Sequence, residues 1–377
     1  VGDYSYAFYT KNNIFTGGNT AFAQFLNDWV NTGTGNGIDL TMSSSSSLLL
    51  ADVTNATNKD IAFTNIVPPV TGTTLQNANS QKVATLTGDY KYLTIKGADV
   101  KIDENIDLSV ATNKLNKVSI YDSNIIVDTG KTIQDGATPN VSASTNLIGQ
   151  GYILGVNNGK TLTNKGTITL NSSTPNTLKV LVAIGKNVGG LSSKAENDGT
   201  ITSKIKEGIG IYASDDAQGI NNTGKAITMD GDSAFGMVGS NADTTNEGNI
   251  TVNGTSATGM YSTEDVATPP ITPTTIAINK GTITTTGDKN IGMVAKNSNI
   301  TNDTNGTIKL NNSTENVGMY SEEGTNGTIT NNGKIEGIDK TIGIYGNTET
   351  KLGNASSITV GDSGVGVYSS TGEITVN

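Results

Sequence analysis

Cysteine, histidine and arginine are absent from this 377-residue sequence, and each absence removes a class of chemistry. Without cysteine there is no disulfide, no thiolate metal site and no thiol nucleophile. Without histidine there is no Ser-His-Asp arrangement, and the commonest general base near neutral pH is missing. Without arginine there is no bidentate clamp for phosphate or carboxylate. All 24 cationic side chains are lysines. Aromatics are sparse, with 12 Tyr, 6 Phe and 1 Trp. A compact globule of this length uses more; a thin core of Ile, Val, Leu and Met uses fewer. No apolar run reaches the ~20 residues of a membrane-spanning helix, and Leu48-Leu49-Leu50-Ala51 is far too short. The start, Val1-Gly2-Asp3-Tyr4, lacks the basic residues and apolar stretch of a signal peptide. We read the chain as a piece of a longer protein, processed at the front and cut at the back. A net charge of -10 repels nucleic acid and anionic membranes.

Glycine (46) and asparagine (45) are abundant instead. Both accept positive φ and serve turns, which many short strands require. From about residue 150 one phrase recurs: Asn-x-Gly-x-Ile-Thr, then about nine residues later Gly-(Ile/Met/Val)-(Tyr/Val). Its isoleucines are Ile168, Ile201, Ile227, Ile250, Ile283, Ile308, Ile335, Ile358 and Ile374, 23 to 33 residues apart except for a last step of 16. A β-type unit with a period near 25 is the mark of a stacked solenoid. The sequence therefore predicts an all-β fold, a right-handed parallel β-helix, with handedness following from the rule for parallel crossovers. Alternation puts Ile250 and Val252 inside and Thr251 outside, Thr258 and Met260 inside, and Gly259 and Tyr261 outside.

Ala21 to Val30 carries Phe22, Phe25, Leu26, Trp29 and Val30 at helical spacing. This predicts one short α-helix over residues 20–31, covering the N-terminal end of the solenoid as a cap. Three parts follow: residues 1–82 form the cap and irregular first coils, 83–149 irregular coils, and 150–377 regular repeats. Early strands are read at Leu93 to Ile95, Val100 to Ile102, Ile106 to Val110, Val118 to Ile120 and Ile125 to Val127. Two longer intervals, with Ser172 to Thr177 and Thr268 to Pro273, contain proline and are read as projecting loops.

Candidate sites are few. Asn164, Asn197, Asn222, Asn246, Asn279 and Asn331 are expected to stack at one turn with their amides bonded along the axis. Gly210, Gly236, Gly259, Gly292, Gly318, Gly343 and Gly366 form a stripe, read as the floor of an outer furrow. Beside it run Tyr212, Val238, Tyr261, Val294, Tyr320, Tyr345 and Tyr368. Tyrosines there can stack on a sugar or hold a partner's apolar anchor. The partner-binding candidates are thus Tyr212, Tyr261, Tyr320, Tyr345 and Tyr368, with Pro269, Pro270 and Pro273 on the second loop. The adjacent carboxylates Asp215-Asp216, Glu264-Asp265 and Glu322-Glu323 sit near turns, not across a cleft as a glycosidase requires. No catalytic residue, cofactor or metal site is read from the sequence. A flat Thr-x-Thr array of the ice-binding kind is approached only at Thr284-Thr285-Thr286.

The unit, best seen in Asn246-Glu247-Gly248-Asn249-Ile250 with Gly259-Met260-Tyr261 and in Asn279-Lys280-Gly281-Thr282-Ile283 with Gly292-Met293-Val294, resembles the passenger repeats of large fusobacterial type V autotransporter adhesins of the RadD type. The opening Gly2-Asp3-Tyr4-Ser5-Tyr6-Ala7-Phe8 is similar to the start of such a passenger. The resemblance implies a monomeric β-helical stalk exposed at the cell surface and carried on the outer membrane by a C-terminal translocator barrel that this chain lacks. It implies adhesion to surface proteins or glycans of other bacteria or host cells; the residues themselves predict no enzymatic activity and no cofactor, and the charge predicts no nucleic-acid partner. The alternative is a β-helical polysaccharide lyase or hydrolase. Those enzymes use an Arg or Lys base with calcium-binding carboxylates, or clustered Asp.

Overall fold

Each Asn-x-Gly-x-Ile-Thr unit folds into one coil of three short strands, and the coils stack. The computed structural model describes residues 5–11, 38–43, 46–66, 74–76, 82–87, 91–110, 113–135, 151–172, 178–265, 273–311, 315–322 and 326–376. Two compact units are present, Val1–Lys131 and Thr132–Asn377.

In the C-terminal unit every strand pairs in parallel with its counterpart one coil away. One coil illustrates the rest: Thr200–Ser203, then Ile209–Ser214, then Gln218–Asn221. Repetition builds three sheets, named here for their marker residues. The isoleucine sheet contains Thr200–Ser203 and its equivalents, the glycine sheet contains Ile209–Ser214, and the asparagine sheet contains Gln218–Asn221. The glycine sheet has nine strands, from Tyr152–Asn157 to Val365–Ser369. The result is a right-handed parallel β-helix. Its core is a set of columns. Ile168, Ile201, Ile227, Ile250, Ile283, Ile308 and Ile335 are each 0% exposed. So are Ile211, Met237, Met260, Met293, Met319 and Ile344 on the glycine sheet. The apolar side chains that fill a core this narrow are aliphatic, so aromatics are left for the outside.

Two details of the repeat differ from the sequence pattern. Ile133 pairs with Ile168 and extends the isoleucine column one coil beyond the motif. Ile374 pairs with Thr350 in the asparagine sheet and does not belong to that column, which accounts for the short last interval.

A polar column runs beside the aliphatic ones. Asn164, Asn197, Asn221, Asn246, Asn279, Asn302 and Asn331 are fully buried. Each Nδ2 from Asn164 to Asn302 donates to the Oδ1 of the next, at 2.8 to 2.9 Å. Burial in a dry core makes each such bond costly to lose. The motif assigns Asn222 to this row, but the structure puts Asn221 there. That coil has two residues more between Asn221 and Ile227, one on each side of Gly224, which takes φ +74°. Asn302 is absent from the motif because its connection to Gly306 is likewise longer.

The alternation rule fails at one place in every coil. Gly210, Gly236, Gly259, Gly292, Gly318 and Gly343 face inward, not outward. A Cβ on Gly259 would lie 2.5 Å from the Gly292 carbonyl oxygen and 2.5 Å from Ile283 Cγ2. Thus two consecutive residues, the glycine and the Ile or Met after it, point into the core, as at a bulge. The residue before the glycine is turned to the outer face. Two positions ahead of these strands, Glu207, Ser233, Ser256, Lys289, Glu315, Lys340 and Ser363 take φ between 52° and 59°. Non-glycine residues pay strain there. Hydrogen bonds between coils offset it, as in Glu207 N–H to Asp232 O at 2.8 Å and Ser233 N–H to Thr255 O at 2.8 Å.

The N-terminal unit is less regular. Tyr6–Lys11, Ser47–Asp52, Lys91–Lys96 and Val118–Tyr121 form one parallel sheet. Asp60–Ala62, Asp99–Ile102 and Asn124–Val127 are paired in a second. Ile38–Thr41 and Lys82–Thr87 run parallel, with Thr74–Gln76 antiparallel at the edge. The strand read over Ile106 to Val110 stops at Asp107. The Asp107 carboxylate accepts from Ser109 N–H at 2.9 Å and from Ser109 Oγ at 2.6 Å, turning the chain locally. Helical structure among the described residues is limited to Phe63–Asn65 and Lys114–Lys117. The expected helix over residues 20–31 lies outside the described residues.

Candidate functional site

With the glycines turned inward, the outer surface of the glycine sheet is an apolar strip and not a glycine-floored furrow. Two rows run along it. One holds Tyr212, Val238, Tyr261, Val294, Tyr320, Tyr345 and Tyr368, in register from coil to coil. The other holds Ile209, Phe235, Thr258, Ile291, Val317, Ile342 and Val365. The sequence reading places this second row inside, because it extends a strict period of two across the glycine. Repeated glycine beside a large apolar residue is the signal that could have exposed it.

The tyrosines project while the valines between them are sunk, Val238 at 6% and Val294 at 4% exposure. Phe235 meets Tyr261 edge to face at 5.8 Å between ring centres. Tyr320 and Tyr345 are 5.7 Å apart, and Tyr345 and Tyr368 are 4.9 Å apart. Lys179 Nζ lies over the Tyr212 ring at 4.2 Å. The Tyr261 hydroxyl donates to Glu322 Oε1 at 3.3 Å, and Lys296 Nζ pairs with the other Glu322 oxygen at 3.4 Å. Burial, and then the Glu322 charge, push the Tyr261 phenol up to about 12. It therefore stays a neutral donor at physiological pH. The five tyrosines named from sequence thus lie on one face. Lys179, Lys296 and Glu322 join it without any motif to announce them.

Pro269 and Pro270 lie outside the described residues. Pro273 is buried, and its carbonyl accepts from Asn299 Nδ2 at 2.9 Å, so it anchors the base of the loop. Glu264 closes that base. Its carboxylate accepts from Thr274 N–H (2.7 Å) and Oγ1 (3.1 Å), and from Thr275 N–H (2.9 Å) and Oγ1 (3.0 Å). Burial alone would raise its pKa, but the Thr275 and Thr274 hydrogen bonds together hold it below the usual carboxylate range. A depressed carboxylate contributes its tether above the unfolded pKa, near 4.3, and loses it as pH falls through the folded value. The amide proton shifts of Thr274 and Thr275 are accordingly expected to titrate with a midpoint below about 4.3. In Glu264→Gln that titration should vanish; a midpoint at or above the ordinary glutamate value would contradict the clamp.

The other carboxylates are dispersed. Asp215 and Asp216 occupy a turn with φ 56° and 67°, and Asp216 pairs with Lys186 at 2.7 Å. Glu323 lies outside the described residues. Among the described residues no group of three His, Cys, Asp or Glu is placed to hold a metal ion. No helix of the described residues is long and apolar enough to cross a membrane. On the isoleucine sheet the register stacks Thr169, Thr202, Thr228, Thr251 and Thr284 in one outer row. The repeat already contains this row, since the Thr after each inward Ile faces outward, and Thr167-Ile168-Thr169, Thr200-Ile201-Thr202 and Thr282-Ile283-Thr284 are Thr-x-Thr steps in addition to Thr284-Thr285-Thr286. The array is broken at Ala226 and Asn249 in the neighbouring row and ends at Lys309.

No curated protein and no solved structure matches this chain. The model of one family, described as the BigA third pectate lyase-like domain, matches residues 97–336. That match spans most of the chain and agrees with its stacked parallel sheets. It supports a β-helix of bacterial surface proteins and singles out no fusobacterial or RadD-type member. The chain belongs to the family of the BigA third pectate lyase-like domain.

Proposed function

We propose that this chain is a non-catalytic adhesive module of a bacterial surface protein, an autotransporter-type passenger held outside the outer membrane. Its β-helix is the scaffold, and the aromatic outer face of the glycine sheet is the contact surface. One observation carries the reading: five tyrosines and a second apolar row share one lateral face of a chain whose core already has enough aliphatic residues without them. Large apolar strips on a folded surface mark interaction sites, and tyrosine gives much contact area at little entropic cost. The partners are surface proteins or glycans of other bacteria or host cells. The resemblance of the repeats to RadD-type passengers points the same way.

The family description keeps a polysaccharide lyase as the second reading. A lyase of this architecture needs a base and a carboxylate set converging on one substrate. On this face Glu322 is the one carboxylate among the described residues, and it is already engaged by Tyr261 and Lys296. Lys179 lies over the Tyr212 ring.

Cell-binding assays on the Tyr320→Ala, Tyr345→Ala double variant test the proposal. Adhesion should fall at least tenfold with the fold retained by circular dichroism. Adhesion at wild-type strength would move binding off this face. Turnover of a polyuronate that a single carboxylate substitution abolishes would replace the adhesive reading with the enzymatic one.

A further inference from the structure

We infer that the partner of the glycine-sheet face is a second copy of the same chain, so that the module adheres to itself. The inference rests on the reading that this is the adhesive face.

The argument begins with charge. Two chains of net charge -10 repel at every approach. The outer faces of the other two sheets each carry carboxylates with no ion pair among the described residues. The asparagine sheet presents Glu196 and Asp243 beside a Glu349–Lys351 pair at 2.9 Å, and the isoleucine sheet presents Glu336 beside Lys334 and the in-register Lys309. On the glycine-sheet face the one carboxylate, Glu322, is neutralised by Lys296 at 3.4 Å, and Lys179 adds a positive charge over an aromatic ring. Among the described residues this is the face on which two acidic copies meet no bare carboxylate.

Relief and symmetry favour the same occupant. The outer row alternates projecting Tyr212, Tyr261 and Tyr320 with sunken Val238 and Val294, one residue per coil. Coils rise about 4.8 Å, so the projections recur about every 9.6 Å. A copy turned about a twofold axis carries the same period and can set its tyrosines over the valines of the first. Such an isologous contact uses one patch twice and closes on itself.

Size sets the strength. Seven coils about 4.8 Å apart make a strip about 30 Å long. Two rows about 15 Å across give roughly 450 Å² per copy, well below the ~800 Å² per partner of a standard stable interface. One contact is therefore weak, and adhesion arises when many copies on facing surfaces engage together.

Beads coated with the 377-residue chain provide the test, alone and mixed with bacterial or host cells. Coated beads should clump by themselves. Clumping should increase as ionic strength rises from about 0.01 M to about 1 M, because salt screens the repulsion between like-charged copies; attraction to a cationic partner would have the opposite salt dependence. Tyr320→Glu and Ile291→Glu, each placing a carboxylate on the face, should reduce clumping at least tenfold. Thr228→Glu, on the outer row of the isoleucine sheet, should not. Circular dichroism on all three variants separates misfolding from lost contact, and two face variants guard against one failing to fold. Beads that never clump but capture cells through the same face would overturn self-pairing and leave the adhesive reading intact. Beads that do neither would overturn both, and clumping that survives both face variants would overturn the assignment to this face.

Discussion

Replacing Gly318 by valine should destabilise the β-helix by about 3 kcal/mol, at the upper end of what overpacking costs. The Cβ alone would lie 2.4 Å from the Gly343 carbonyl oxygen and 2.8 Å from Ile335 Cγ2. The first of these atoms is backbone of the next coil and cannot move without disturbing the stack. The second belongs to the isoleucine column, which is fully buried. Valine adds two further methyls to the same space. Ser321 is unsuitable as the tolerant comparison, because it is fully buried and its Oγ accepts from Asn347 N–H at 2.7 Å. Thr251→Val on the outer row of the isoleucine sheet is the better one, with an expected change within about 0.5 kcal/mol. Denaturant unfolding of the two variants measures the difference, and equal midpoints would show that the glycine stripe is free of packing constraint.

Asn246→Ala should have an effect of similar size, about 3 kcal/mol. The substitution removes the acceptor of Asn221 Nδ2 and the donor to Asn279 Oδ1, both at 2.8 Å. Both partners stay buried: Asn279 Oδ1 loses its ladder donor, Asn221 Nδ2 keeps only its longer bond to Asn249 O at 3.3 Å, and an orphaned buried polar group costs about 1–3 kcal/mol. Asn222→Ala, one residue from the ladder at Asn221, should change stability by less than about 0.5 kcal/mol. Matching losses at the two positions would mean that the ladder contributes no more than an ordinary turn asparagine.

The fold was legible because its signal repeats. Ile250, Thr251 and Val252 follow a simple alternation, and a stacked period near 25 leaves few architectures open. What the sequence hid lies where alternation breaks. Around Gly259 two residues in succession face inward, so Thr258 and its row were assigned to the core when they line the outside. Register was misread where a coil carries extra residues, as between Asn221 and Ile227. The tyrosines were found because they stand on the far side of that break, where the parity is restored. The pairing of Lys296 with Glu322 could not be found. They meet only because the stack brings successive coils together, and neither stands in a motif. The threonine row, by contrast, is written in the repeat, because the Thr that follows each column isoleucine from Ile168 to Ile283 faces outward.

The asparagine ladder also gives the rod a direction. Every amide from Asn164 to Asn302 donates the same way, toward the next coil. Aligned dipoles of this kind polarise one another and bind their coils into a cooperative block. The series stops at Asn331, whose buried Nδ2 has no partner, because Leu352 occupies the next position in register. In a one-dimensional stack each coil is held only by its neighbours, so the weakest junction governs how the rod yields to force. A load drawn along the axis from the C-terminal side therefore meets its first mechanical boundary between Asn331 and Leu352. The coils beyond it can peel away while the laddered block stays shut, which makes this junction a built-in fuse for a surface protein under shear.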